Sequence, residues 1–236
     1  MIESPIEVSQ NLKALVLEKN ILIILSQMKR DGRVDMKILP REFYERDPAE
    51  VARELLGKVL VRRLDGVFLK GMIVETEAYY GLEDPASKAY RGIKKFNELM
   101  FRDVGKTFIY MVHGNWLLNI VAHPRGGVGA VLIRAIEPLE GIEVMMKNRN
   151  VRDIHSLTNG PGKLTKALAI TKELNGVYVT ERVSKIQIAE TVSEKFEIQE
   201  SYRIGVKKDL PVKLRFFIQG NRFVSRHKIQ NKKLRS

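Results

Sequence analysis

Cysteine is absent from the 236 residues. That excludes disulfides, thiolate zinc sites and cysteine nucleophiles together, and it suits a reducing compartment. Histidine is scarce. The four are His113, His123, His155 and His227, without metal-ligand spacing, so no catalytic metal is expected. Long apolar runs are missing as well. The longest near the N-terminus, Ile21 to Leu25 extended by Ser26 to Met28, is too short to span a bilayer, and no small-residue cleavage site follows it. A soluble, intracellular protein is therefore expected. Internal repeats and low-complexity linkers are lacking too.

What is present is ample apolar material, 44% of residues, enough for one sizeable core. Lys and Arg number 41 against 28 Asp and Glu, a formal charge of +13. Such a surplus attracts polyanions over long range but says nothing about fold.

Residues 1–36 read as an extension, loosely helical through Leu12, Leu15, Val16, Ile23 and Ile24 and broken at Arg30-Asp31-Gly32-Arg33. The main domain is expected over 37–228, followed by a basic tail over 229–236. From Asn221 onward the chain carries Arg222, Arg226, Lys228, Lys232, Lys233 and Arg235 and no acid. This end reads either as a solvated terminus or as a polycation adding salt-sensitive affinity for DNA.

Asp47-Pro48-Ala49-Glu50 supplies an N-cap, a proline at the first helical position and a glutamate three residues after the cap. The helix it opens should reach Leu56 and stop at Gly57. Val59–Leu64 and Val67–Tyr79, joined by Asp65-Gly66, predict a tight hairpin. Further strands are expected over Thr107–Val112, paired with Val128–Arg134, and around Val177–Val179 and Leu214–Gln219. Helices are expected over Leu139–Asn148 and after Asn159-Gly160-Pro161-Gly162. The order suggests one α+β domain built on a curved, mostly antiparallel sheet with surrounding helices.

The densest chemical signal is Ile73-Val74-Glu75-Thr76-Glu77-Ala78-Tyr79. On a strand, Glu75, Glu77 and Tyr79 share one face. Two carboxylates on an otherwise apolar strand are costly unless paired or used. Either this is an exposed edge whose acids meet Lys or Arg, or one carboxylate activates water beside an aromatic platform. A second cluster runs from Phe108 to Asn119, where polar and aromatic residues interrupt a strand and lead into a Gly-Asn turn. It is either an ordinary hairpin with a buried Tyr and a surface His, or one whose tip enters a groove, with His113 as wedge and Asn119 as a base-edge hydrogen bonder. Asn159 to Thr165 fails the phosphate-loop spacing, because the first glycine would fall at Leu157. A glycine-rich helix entry can still bind one phosphate through its amides.

With these residues in place, the sequence resembles the alkyladenine (3-methyladenine) DNA glycosylases from about Leu39 to Ser225. The resemblance rests on an ordered series: Leu56-Gly57-Lys58-Val59-Leu60, Val74-Glu75-Thr76-Glu77-Ala78-Tyr79 and Glu83-Asp84-Pro85-Ala86-Ser87. It continues through Leu132-Ile133-Arg134-Ala135-Ile136-Glu137-Pro138-Leu139-Glu140-Gly141, Gly160-Pro161-Gly162-Lys163-Leu164, Arg203-Ile204-Gly205-Val206 and Leu214-Arg215-Phe216.

The resemblance implies a monofunctional base-excision-repair enzyme without cofactors, acting as a monomer on duplex DNA that contains alkylated or deaminated purines. It implies that Glu77 is the general base for the attacking water. Tyr79 and Tyr110 resemble the aromatic walls that sandwich the flipped base. Asn119 resembles a pocket Asn that screens exocyclic groups, and Arg134 the basic residue near the catalytic centre. His113 stands where the family carries a Tyr wedge, and the run from Gly114 to Asn119 is one residue shorter than the family's. Gly160, Gly162 and Lys163 are the expected phosphate contacts. Lys88 replaces a pocket His. Its ammonium either lines the pocket or, the favoured reading because Lys is costly to bury, turns outward to a phosphate. The competing reading is a protein of the same fold that binds damaged DNA or RNA without catalysis.

Overall fold

A computed structural model describes residues 36–191 and 195–225. Residues 1–35 of the N-terminal extension, and residues 226–236 with the basic tail expected over 229–236, lie outside the described residues. No described helix is long and apolar enough to cross a membrane.

After a short turn of helix, α1 (Arg41–Tyr44), the chain enters α2 (Pro48–Glu54). The Asp47 carboxylate caps α2, accepting from the amides of Ala49 at 2.7 Å and Glu50 at 3.4 Å. The helix stops because Gly57 turns with φ +81°. Strands β1 (Val59–Leu64) and β2 (Val67–Tyr79) then form the expected hairpin. Asp65 and Gly66 both have positive φ, 47° and 82°, the geometry that matches the right-handed strand twist.

Next come β3 (Thr107–Val112), β4 (Asn115–Val121) and β5 (Ala130–Glu140), then α3 (Ile142–Arg149) and α4 (Pro161–Ala167). Three short strands close the chain: β6 (Ile186–Ala189), β7 (Ile198–Ser201) and β8 (Arg215–Ile218). They form one sheet in the order β3-β4-β5-β2-β1-β6, with β8 pairing β2 and β7 pairing β8, and every pairing is antiparallel. The fold is α+β, with the sheet curled and helices on one of its faces.

Several expectations need correction. Thr107–Val112 pairs with Asn115–Val121, not with the strand expected from Val128, because β4 returns directly from the turn and lies between them. Val177–Val179 is no strand; Tyr178 makes only an isolated bridge to Lys106. Leu139 and Glu140 extend β5, so α3 starts three residues later than expected, after Gly141.

Period-two alternation divides the sheet cleanly. Thr76 and Ala78, Ile109, Leu118 and Ile120, and Val131 and Ile133 face the helices; all but Thr76 belong to the main hydrophobic core, with Leu55, Leu164 and Leu168. Thr76 Oγ1 donates to the Ala52 carbonyl of α2 at 2.7 Å, which ties that helix to β2. Burying each such Leu or Ile contributes about 1.5–3 kcal/mol. The opposite face carries Phe108, Tyr110, Asn119, Val121, Ala130, Leu132, Arg134, Glu75, Glu77 and Tyr79. A smaller apolar cluster of Ala89, Met100, Phe108, Val121 and Ala130 covers part of it.

Candidate active site

Glu75 and Glu77 lie where β2 is flanked by β5 and β8, and both are fully buried. This is no exposed edge. The pairing of β2 with β5 shifts register on both sides of Glu75. Glu75 stands opposite Ala135 and Thr76 opposite Ile133, so Arg134 is the extra residue between them. Such irregularities re-aim side chains, and here Arg134 is turned toward both carboxylates.

The two acids are occupied differently. Glu75 Oε1 accepts from Arg134 Nε at 2.8 Å, Arg215 Nε at 2.7 Å and Ser225 Oγ at 2.8 Å, and Oε2 accepts from the Ser225 amide at 2.7 Å. Burial disfavours its charge, but Arg134, Arg215 and the Ser225 amide together hold the carboxyl below its ordinary range. Glu77 Oε1 accepts from the Ile204 amide at 2.7 Å; Oε2 accepts from the Tyr79 hydroxyl at 2.7 Å and meets Arg134 Nη1 at 3.2 Å. Glu77 thus accepts two hydrogen bonds and makes one ion pair, fewer contacts than the four hydrogen bonds that Glu75 accepts.

Arg134 bridges the acids. Burial works against its charge, and Glu77 and Glu75 restore it, raising its pKa above the ordinary value. Tyr79 is pushed well above the usual phenol range by burial and by the charge of Glu77 and its hydrogen bond. It therefore stays a neutral donor to Glu77. Tyr110 is raised as well, by burial first and then by Glu77.

The pairing register sets these groups around one floor. Glu77 stands opposite Leu132, Leu132 opposite Asn119, and Asn119 opposite Phe108. Tyr79 and Tyr110 lie two residues beyond the opposite ends of that row. Asn119 is buried, and its Nδ2 donates to the Phe108 carbonyl at 3.0 Å, which fixes the amide plane. Arg203 lies 4.5 Å from the centroid of the Tyr79 ring. Its guanidinium is held by Asp84 at 2.6 and 2.7 Å and by Asp209, so the loops around 84 and 203 clamp the ring from behind.

Lys88 is exposed, but its Nζ is 5.1 Å from the centroid of the Tyr110 ring. The ammonium lies over the ring of Tyr110, drawn by its electron-rich face. The loop is anchored beneath it. Buried Asn97 donates to the carbonyls of Lys88 at 2.7 Å and Gly92 at 3.0 Å and accepts from the Lys94 amide at 2.6 Å.

Past Tyr110, β3 runs to a two-residue turn at His113-Gly114, one position earlier than a Gly-Asn turn. Both residues have positive φ, 48° and 75°. The His113 side chain is exposed at the tip, and Met111 beside it is 50% exposed. Helix α4 buttresses this hairpin. A Cβ at Gly162 would meet Asn115 at 2.8 Å, and Thr165 Oγ1 donates to the Trp116 carbonyl at 2.7 Å. Close packing against Asn115 is reason enough for glycine at 162. Gly160, at φ 150° and ψ 149°, adopts a backbone conformation reserved for glycine, and Lys163 Nζ donates to Asn159 Oδ1 at 2.7 Å.

Sequence reasoning singled out Glu77, Tyr79, Tyr110, Asn119 and Arg134, which the fold gathers on one face. It assigned no site role to Arg203, Asp84, Arg215 or Ser225. A signal existed for Arg215, a charge alternating within the apolar run Leu214 to Ile218; Ser225 had none. A cavity of about 930 Å³ lies apart, lined by Arg41, Phe96, Arg102, His123 and Arg125 among others. It is an open cleft of mixed charge sharing none of these site residues, so size is no guide to the chemistry here.

Residues 42–222 match the methylpurine-DNA glycosylase (MPG) family. A protein of Aeropyrum pernix is 41% identical over 195 residues, covering 82% of this chain and 95% of the relative. One of Clostridium perfringens is 43% identical over 203 residues, covering 80% and 98% respectively. One of Koribacter versatilis is 38% identical over 202 residues, covering 84% and 98%. All three bear 3-methyladenine DNA glycosylase in their names. The family match spans the site from Glu75 to Arg215, and the chain belongs to the methylpurine-DNA glycosylase family.

Proposed function

We propose that this base-excision-repair glycosylase flips alkylated or deaminated purines out of duplex DNA and hydrolyses their N-glycosidic bond with a water activated by Glu77. The observation that carries the reading is a fully buried carboxylate, held by Tyr79, Ile204 and Arg134, on the sheet face that also carries Tyr79 and Tyr110.

A base inside a duplex is out of reach, so extrusion comes first and costs a few kcal/mol, least for damaged or weakly paired bases. His113 at the hairpin tip fills the gap left in the stack. Stacking against Tyr79 and Tyr110 returns about 1–3 kcal/mol per base contact. A purine alkylated at N3 or N7 carries positive charge. As the bond from C1′ to the purine nitrogen breaks, its electron pair leaves with the base, which departs neutral. The sugar becomes cationic, and the nearby negative charge of Glu77 stabilises it. The water oxygen bonds to C1′ and gives its proton to Glu77. The products are the free base and an abasic site. No protein nucleophile is used, so the reaction is monofunctional. Contacts of Gly160, Gly162 and Lys163 with phosphate, and a basic surface engaging the duplex as a monomer, complete the reading.

The test is base release from methylated duplex DNA. The expected result is free methylpurine with an intact backbone and no borohydride-trapped adduct. Binding without release would favour a non-catalytic protein, and a trapped adduct would replace the water with an amine nucleophile.

A further inference from the structure

We infer that Ser225 is a positioning residue of the active site, acting on Glu77 through Glu75 and Arg134. The inference rests on the reading that Glu77 activates the water.

Ser225 is far in sequence from both acids, yet it contributes two of the four hydrogen bonds to Glu75. Its amide donates to Oε2 and its hydroxyl to Oε1, at 2.7 and 2.8 Å. The same hydroxyl accepts a long bond, 3.4 Å, from Arg134 Nη2, and its carbonyl accepts one of 3.4 Å from Arg215 Nη2. A half-buried serine therefore touches every member of the ionic cluster except Glu77.

Among the described residues its amide is the one donor to Oε2 of Glu75. Without that bond, a fully buried carboxylate oxygen loses its partner, which is costly. The neighbouring donors among the described residues are Arg134 and Arg215. Arg134 cannot turn further toward Glu75 without drawing Nη1 away from Glu77, where its contact is already the longest of the three at 3.2 Å. Ser225 thus satisfies Glu75 so that one Arg134 nitrogen remains for Glu77. The role is positional: Ser225 is not among the hydrogen-bond or ion-pair partners of Glu77, which are Tyr79, Ile204 and Arg134.

The experiment compares Ser225→Ala, Ser225→Pro and Ser225→Thr in the full chain, on duplex DNA methylated with dimethyl sulfate. It reads single-turnover release, duplex affinity and melting temperature. Ser225→Ala loses both hydroxyl bonds, to Glu75 and from Arg134, keeps the amide donor, and should slow release about tenfold with unchanged affinity. Ser225→Pro also loses the amide donor and should slow release about a hundredfold. Ser225→Thr keeps both donors and should restore the rate, a rescue that a purely structural role in Ser225→Ala would not predict at temperatures well below melting. Unchanged rates in both Ser225→Ala and Ser225→Pro, with Glu77→Gln inactive, would overturn the inference while sparing the reading of Glu77. A loss of affinity matching the loss of rate would overturn it in favour of a direct DNA contact. If Glu77→Gln released bases normally, the reading of Glu77 would fail and take this inference with it.

Discussion

Two residues apart on one strand and equally buried, Glu75 and Glu77 divide the work by their partners. Glu75 spends its bonding on two guanidiniums and Ser225 and so holds Arg134. Glu77 accepts from Tyr79 and Ile204 and pairs with Arg134. The alternation of Glu75, Glu77 and Tyr79 was legible in the strand pattern, because period two needs only the sequence, and the family resemblance pointed to Glu77. The partners of Glu75 were not legible, since Arg215 and Ser225 lie about 140 and 150 residues away. The contact of Lys88 with the Tyr110 ring was not legible either, since the two residues meet only in the fold. A cation held there beside a flipped base would disfavour a cationic base relative to a neutral one. Lys88→Ala should therefore raise the ratio of 7-methylguanine to hypoxanthine excision, on the order of tenfold for a contact worth about 1 kcal/mol or somewhat more. An unchanged ratio in a competition assay would show that the ammonium leaves the ring when a base enters.

At the scale of elements, the β3–β4 hairpin and α4 act together. The Asp65-Gly66 hairpin was readable because that dipeptide tolerates positive φ at both positions. His113-Gly114 was harder, since histidine at φ 48° is uncommon and shifts the turn by one residue. The strands Ile186–Ala189 and Ile198–Ser201 escaped notice because four residues carry almost no periodicity; they exist through pairing with β1 and β8. Thr165 and Gly162 press α4 against β4, so the tip is presented on a rigid support. His113→Ala should accordingly slow excision from lesion duplex about tenfold or more and affect single-stranded substrate much less, since no stack needs filling there. Stopped-flow measurement of extrusion with a fluorescent base would report the step directly. Equal losses on both substrates would give His113 another role.

Across the whole molecule, the buried ionic cluster links catalysis to stability. In the unfolded chain Glu75 titrates at its ordinary value of 4.5; in the fold it is held lower, because Arg134, Arg215 and Ser225 outweigh burial. A depressed carboxyl contributes stability that is fully present above the unfolded value and lost as pH falls through the folded one. Glu75→Gln should therefore cost about 3–5 kcal/mol near neutrality, as removal of one partner from a buried ion pair does. The gap between variant and wild type should narrow as pH drops below 4.5. Urea unfolding from neutral to acid pH measures it, and a gap independent of pH would mean that Glu75 carries no charge in the fold. The overall α+β class and the ordered family segments were legible because they are local in sequence; the ionic cluster was not, because it joins β2, β5, β8 and Ser225. The most direct test of the central claim is single-turnover release of 3-methyladenine from duplex DNA by wild type and Glu77→Gln. The account predicts retained duplex binding with release slowed by about three orders of magnitude or more, the combined loss of water activation and of charge beside the sugar cation. Release by Glu77→Gln at near the wild-type rate would contradict it.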